Sequence, residues 1–184
     1  MLHMEQNLIF QIVSLLLMEK LHARAIARKL KTNHMAISRN IRLLVRENVA
    51  DFKKEGRNKV YFIKKSIEAK NYACMAEISR LNTLLKKYPE LRRIVVQIQQ
   101  NKNIELAVLF GSYANGTATK TSDIDIFIET KNRKLKEDVE KIDSKLSVKI
   151  GLYDKESLLI KEIEKTHVII KGVETYYEKF WYFD

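Results

Sequence analysis

Ile104 to Phe110 is a mostly apolar run, and the stretch after it constrains the chain more than any other: GSYANGTATKTSDIDIFIE, Gly111 to Glu129. An apolar run ending at a glycine predicts a buried strand entering a turn. Gly111 lets the backbone turn tightly and approach another group closely. Ser112, Tyr113 and Ala114 then open a helix-like segment, where backbone N–H groups and a hydroxyl can converge on an anion such as a phosphate. A Gly-Ser pair alone also serves as a plain loop turn. Ten residues separate Ser112 from Asp123, where Asp-Ile-Asp-Ile-Phe-Ile begins a strand pattern. Residues two apart on a strand project from the same face, so Asp123 and Asp125 point the same way. Two like charges that close repel unless a cation lies beside them, and hard oxygen donors suit Mg²⁺ or Mn²⁺. An edge strand displaying acids to solvent carries the same Asp-x-Asp.

The rest of the chain places this stretch in a two-part protein. Its 184 residues allow one large domain or two small ones. With 46% hydrophobic and 31% charged residues it reads as a soluble globular chain. The longest apolar stretch, Leu8 to Met18, is interrupted by Gln11 and Ser14 and falls short of the ~20 residues that cross a bilayer. Met1 to Gln6 has no basic residue, and Glu19-Lys20 stands where a signal peptide would have its cleavage site. One cysteine, Cys74, permits no intrachain disulfide, and the four histidines show no ligand spacing with it. These features predict a cytoplasmic protein without a membrane anchor or a zinc site.

The net charge of +11 is unevenly spread. Residues 1–100 hold 20 Lys or Arg against 8 Asp or Glu, a net of +12, whereas residues 101–184 hold 14 against 15, a net of −1. Such a concentration suits a surface that meets a polyanion, with a merely solvated basic face as the plainer reading. Within that basic half, Leu8, Ile9, Ile12, Val13, Leu15 and Leu16 recur at helical spacing. A second helix is expected over Ala23 to Leu30, a polar break at Lys31-Thr32-Asn33, and a third helix from His34, capped by Asn33 or Thr32 and burying Ile37, Ile41, Leu44 and Val45. Two short strands around the glycine turn Glu55 to Asn58 follow.

Ala23 to Ile63 resembles a winged-helix domain of bacterial and archaeal transcription regulators. The resemblance implies that the third helix enters the major groove of duplex DNA. Ser38, Arg39 and Arg42 lie between its buried positions, where they can reach phosphates or guanine edges. Lys53, Lys54, Arg57 and Lys59 flank the wing turn and would neutralise phosphates. A winged helix can also be a protein-binding module. Ile67, Cys74, Ile78, Leu81 and Leu85 then recur at heptad-like spacing with Asn71 in the series. This seam suits either a homodimer contact or burial on the protein's own domains. Pro89 ends that helix after Tyr88.

Gly111-Ser112, ten residues, then Asp123-x-Asp125 at the head of an apolar strand resembles the signature of the DNA polymerase beta nucleotidyltransferase superfamily, and especially its minimal nucleotidyltransferases. The resemblance covers roughly Pro89 to Tyr177. It implies a mixed sheet, a Gly111-Ser112 turn on the phosphates of a nucleoside triphosphate, and Asp123 and Asp125 as catalytic ligands of Mg²⁺ or Mn²⁺. It also implies a third carboxylate from a later strand. The strand available, Leu146 to Tyr153, has none, and at the position where the acid aligns stands Lys149, a cation that could lie near the phosphates instead. Asp154 reads as an N-cap.

The expectation is therefore an α+β protein: a winged helix over residues 1–66, a linker helix over 67–88 and a nucleotidyltransferase-like domain over 89–184. One function is a DNA-binding enzyme that moves a nucleoside monophosphate from an NTP onto a hydroxyl. Minimal relatives often work in toxin–antitoxin pairs, which implies a partner protein of that type. The alternative is a regulator whose nucleotidyltransferase fold binds nucleotide or mediates assembly without catalysis.

Overall fold

The computed structural model describes residues 2–179, with side chains from Leu8 onward. The fold is α+β. It divides into two units, one of residues up to Ser79 together with those from Tyr177, the other Arg80–Tyr176.

In the first unit, the helical repeat of the opening residues forms α1 (Leu2–Met18), which buries Ile12, Val13 and Leu16. A short strand, β1 (Leu21–His22), precedes α2 (Ala23–Lys29), which buries Ala25, Ile26 and Ala27. The polar break holds Lys31 at φ +49°, and Asn33 then caps α3 (His34–Arg46), its side-chain oxygen accepting from the Met35 N–H at 2.7 Å. The buried positions of α3 are Ile37, Asn40, Ile41 and Leu44. Asn40 is tolerated there because its amide donates to the Ala36 carbonyl at 2.8 Å.

β2 (Ala50–Glu55) and β3 (Asn58–Ile63) pair antiparallel, with Glu55 opposite Asn58, leaving Gly56-Arg57 as a two-residue loop. Gly56 sits at φ +59° in the first loop position, where a type II′ hairpin turn requires positive φ. β1 adds to the other edge of β3. Asn48, at φ +60°, ties this hairpin to the next helix: its carbonyl accepts from Ser66 Oγ at 2.6 Å and its amide donates to Glu68 Oε2 at 2.9 Å.

That next helix, α4 (Ile67–Lys87), carries the heptad-like series. In its first half the buried residues are Ala69, Ala73, Ala76 and Glu77, whereas Ile67 and Ile78 of the seam are 65% and 52% exposed. The alanines let the backbone pack closely there, and Tyr72 packs against the same core. Only toward Leu81 does the seam become buried.

In the second unit, α5 (Leu91–Gln100) follows Pro89 and buries Leu91, Ile94, Val95 and Ile98. Then come β4 (Ala107–Phe110), α6 (Gly111–Asn115), β5 (Ile124–Glu129), α7 (Arg133–Glu140), β6 (Leu146–Gly151), α8 (Leu158–Lys165), β7 (Val168–Lys171) and α9 (Val173–Lys179). The sheet order is β6-β5-β4-β7; β4 pairs antiparallel with β5 and β7, and β5 pairs parallel with β6 through the α7 crossover. Ile124, Ile126 and Ile128 of β5 share one core with Ile94, Ile98, Leu135 and Val139. The alternate positions, Asp125 and Phe127, face the opposite side. On that side the Phe127 ring meets Tyr153 edge-on at 5.6 Å, and Tyr153 meets Tyr176 at 5.8 Å. Both tyrosine hydroxyls donate to Glu164 Oε1, at 2.5 and 2.8 Å, which lets α8 and α9 close the far end of this face.

Tyr176 and Tyr177 of the aromatic tail are buried, and Phe180 to Phe183 lie outside the described residues. Asp154 caps no helix: its side chain accepts from the Glu156 N–H at 3.0 Å in a local turn, and Ser157 occupies the N-cap position of α8.

Gly172 has the closest backbone approach among the glycines of this unit. It sits at φ +80°, and a Cβ there would lie 2.1 Å from the Glu105 carbonyl oxygen and 3.2 Å from Leu106 Cα. Backbone cannot swing aside as a side chain does. Gly172→Ala is expected to destabilise the unit by about 3 kcal/mol, from left-handed strain plus overpacking. Denaturant titration checks this, and a loss under about 1 kcal/mol would contradict the close approach.

Candidate active site

Strand pairing assembles the site. The antiparallel register sets Phe110, the last residue of β4, opposite Asp125. The chain then turns at Gly111, at φ +70°, and α6 begins at once. A Cβ on Gly111 would lie 2.6 Å from Asp125 Oδ2, so the missing side chain leaves the room that the carboxylate occupies. Ser112 is half-buried in the first turn of α6, and its carbonyl accepts from the Thr117 and Ala118 N–H groups at 2.9 and 3.1 Å. Gly116 closes α6 in the left-handed conformation, where its carbonyl accepts from Lys87 Nζ at 2.7 Å. Behind the turn, the buried Tyr113 ring packs edge-on against Tyr88 at 4.9 Å.

The ten-residue spacer is a structured loop. The Thr119 N–H donates to Ser122 Oγ at 2.9 Å while the Ser122 N–H donates back to the Thr119 carbonyl at 3.1 Å. Asp123 follows, exposed, immediately before β5, and Asp125 is half-buried within it. Burial pushes the Asp125 carboxyl above the ordinary carboxylate range; the Ser147 hydroxyl beside it favours the charged form, the like charge of Asp123 raises it again, and the Lys149 cation opposes that rise.

Ser147 is the residue that sequence reasoning missed. The parallel register sets Ser147 opposite Asp125, with Lys149 one pair further on, opposite Phe127. The position beside the acid pair is thus held by a neutral hydroxyl, and the lysine lies next along the same face. Both carboxylates offer hard oxygen donors suited to a divalent cation, and Asp125 Oδ2 occupies the space that a side chain at Gly111 would fill. Among the described residues, no group of three His, Cys, Asp or Glu could hold a metal ion.

Residues 92–175 match the family model described as Polymerase beta, Nucleotidyltransferase. The match to this nucleotidyltransferase domain takes in the Gly111-Ser112 turn, Asp123, Asp125 and all of β6. No curated protein matches the chain.

The residues singled out for DNA lie in the other unit. Arg39 and Arg42 are exposed and Ser38 half-buried on α3, while Lys53, Lys54, Arg57 and Lys59 are exposed along the hairpin. Lys54 and Lys59 stand directly opposite each other across β2 and β3. Lys59 Nζ lies 3.9 Å from the centroid of the Phe52 ring, a cation–π contact that holds it on that face.

Proposed function

We propose that Arg80–Tyr176 is a nucleotidyltransferase that moves a nucleoside monophosphate from a nucleoside triphosphate to a hydroxyl acceptor. We propose further that the amino-terminal unit is a winged helix carrying this activity on duplex DNA in the cytoplasm. The observation that carries the first part is the seating of Asp125 against Gly111, which brings a paired-carboxylate strand and a glycine–serine turn to one point. In the transfer, the acceptor oxygen bonds to the α-phosphorus, the bond from that phosphorus to the bridging oxygen breaks, pyrophosphate leaves, and the acceptor proton passes to solvent. Asp123 and Asp125 would hold Mg²⁺ or Mn²⁺, which when bound neutralises charge on the phosphates. The Gly111 backbone and the Ser112 hydroxyl orient the phosphates, and Lys149 adds positive charge at the rim. Incubating the protein with each labelled NTP and Mg²⁺ or Mn²⁺, then scoring label on protein and nucleic acid, tests this reading.

One observation favours a second reading, a regulator that binds nucleotide without turnover: the hydroxyl of Ser147 beside Asp125 cannot serve as a carboxylate base. Binding of NTP with no transfer to any acceptor would favour it.

For DNA, the supporting observation is the Lys54–Lys59 pair, since like charges directly opposite each other on a hairpin are destabilising unless an anion meets them. Replacing Arg39 and Arg42 together by alanine is expected to weaken duplex binding by at least about tenfold and to lower the slope of log affinity against log salt by about 1 to 2. Unchanged binding would remove α3 from the interface. Among the described residues no helix is long and apolar enough to cross a membrane. The exposed Ile67, Met75 and Ile78 of α4 suit a homodimer contact, and a partner protein of the toxin–antitoxin type remains part of the proposal.

A further inference from the structure

The face that bears Asp125 carries three kinds of side chain in a fixed order. Asp123 and Asp125 supply two carboxylates, Ser147 stands opposite Asp125, and Lys149 stands one pair further along β6 on the same side. Two divalent cations in one phosphoryl-transfer site sit about 3.5–4 Å apart and need carboxylates enough to offset both. Here the strand neighbouring β5 gives a neutral hydroxyl and then a cation, and among the described residues no third His, Cys, Asp or Glu joins the pair. Lys149 stands opposite Phe127, the next residue along β5 on the face that bears Asp125. A second dication would have to settle beside that ammonium with no added anion to hold it. A bound triphosphate, by contrast, brings negative charge to the same place, and an ammonium meets it as a compact point charge.

Resting on the reading of this site as a nucleotide site, we propose that it holds one divalent cation, at Asp123 and Asp125, and that Lys149 takes the place of a second cation against the nucleotide's phosphates. Ser147 then leaves the second ion without a ligand, and Lys149 is a binding residue for the triphosphate.

The test uses the full chain with Mn²⁺ as a paramagnetic probe and the α,β-methylene analogues of ATP, GTP, CTP and UTP, taking whichever binds most tightly. Counting bound Mn²⁺ at saturating analogue is expected to give one ion per chain. Lys149→Gln is expected to weaken analogue binding at least tenfold with the Mn²⁺ count unchanged, and Lys149→Arg to restore most of that affinity. The double variant Ser147→Asp with Lys149→Gln is expected to take up a second ion. Two ions per wild-type chain would overturn the proposal while leaving the nucleotide reading intact, as would unchanged analogue affinity in Lys149→Gln. Absence of both Mn²⁺ and analogue binding in the wild type would overturn the nucleotide reading and the proposal with it.

Discussion

A chain carrying both Asp123→Ala and Asp125→Ala is expected to transfer no nucleotide from any NTP, a loss of about 10³-fold or more. Removing the paired carboxylates beside the Gly111-Ser112 turn removes the proposed ligands of the cation, whose charge stabilisation is worth several kcal/mol at about 1.36 kcal/mol per tenfold. The fold should not suffer. Burial and the like charge of Asp123 hold the Asp125 carboxyl above its ordinary range, so the charged form is worse off in the folded chain than in the unfolded one. That cost is present at neutral pH and fades as the pH falls toward the raised carboxyl range, where the folded state takes up the proton first. The double variant lacks it. Its unfolding midpoint at pH 7 is expected to equal or exceed that of the natural chain, measured by thermal or denaturant melting. Undiminished transfer in this variant would rule out the two aspartates as the site.

Gly111→Ala is expected to lose about 10²-fold in rate by geometry alone. The new methyl carbon would sit 2.6 Å from Asp125 Oδ2, and a side chain at φ +70° is strained in any case. Either the carboxylate rotates off its position or the start of α6 moves, and a displacement of about 1 Å at a reacting centre costs about 10²-fold. Strain of the same turn should lower stability by about 1–3 kcal/mol, so the variant stays folded while its activity falls. A single-turnover rate with saturating nucleotide separates the two effects. A rate within a few-fold of the natural chain would show that Gly111 serves the turn and not the site.

Much of this arrangement is legible from residues close together in the chain. The alternation of Asp123 to Ile128 gives β5 and the common face of its acids, and the cap at Asn33 with the spacing of Ile37, Ile41 and Leu44 gives α3 to within a residue. What escaped the sequence depends on which strand lies beside which. Counting along β6 points to Lys149 as the substitute for a carboxylate, but the pairing of Asp125 with Ser147 is set by the parallel register across the α7 crossover. The same holds for Glu164, whose role in receiving Tyr153 and Tyr176 needs three separate elements to meet. In α4 the spacing of Ile67, Ile78 and Leu81 gives one stripe but not what covers it: Leu81 is buried, while Ile67 and Ile78 stay exposed.

The most direct measurement follows a single phosphorus. The natural chain is incubated with divalent cation and an NTP labelled either at the α- or at the γ-phosphate, and the acceptor is recovered. Nucleotidyl transfer predicts label on the acceptor from the α-position only, with γ-label recovered in pyrophosphate. Acceptor labelled from the γ-position, or no acceptor labelled from either position, would contradict it.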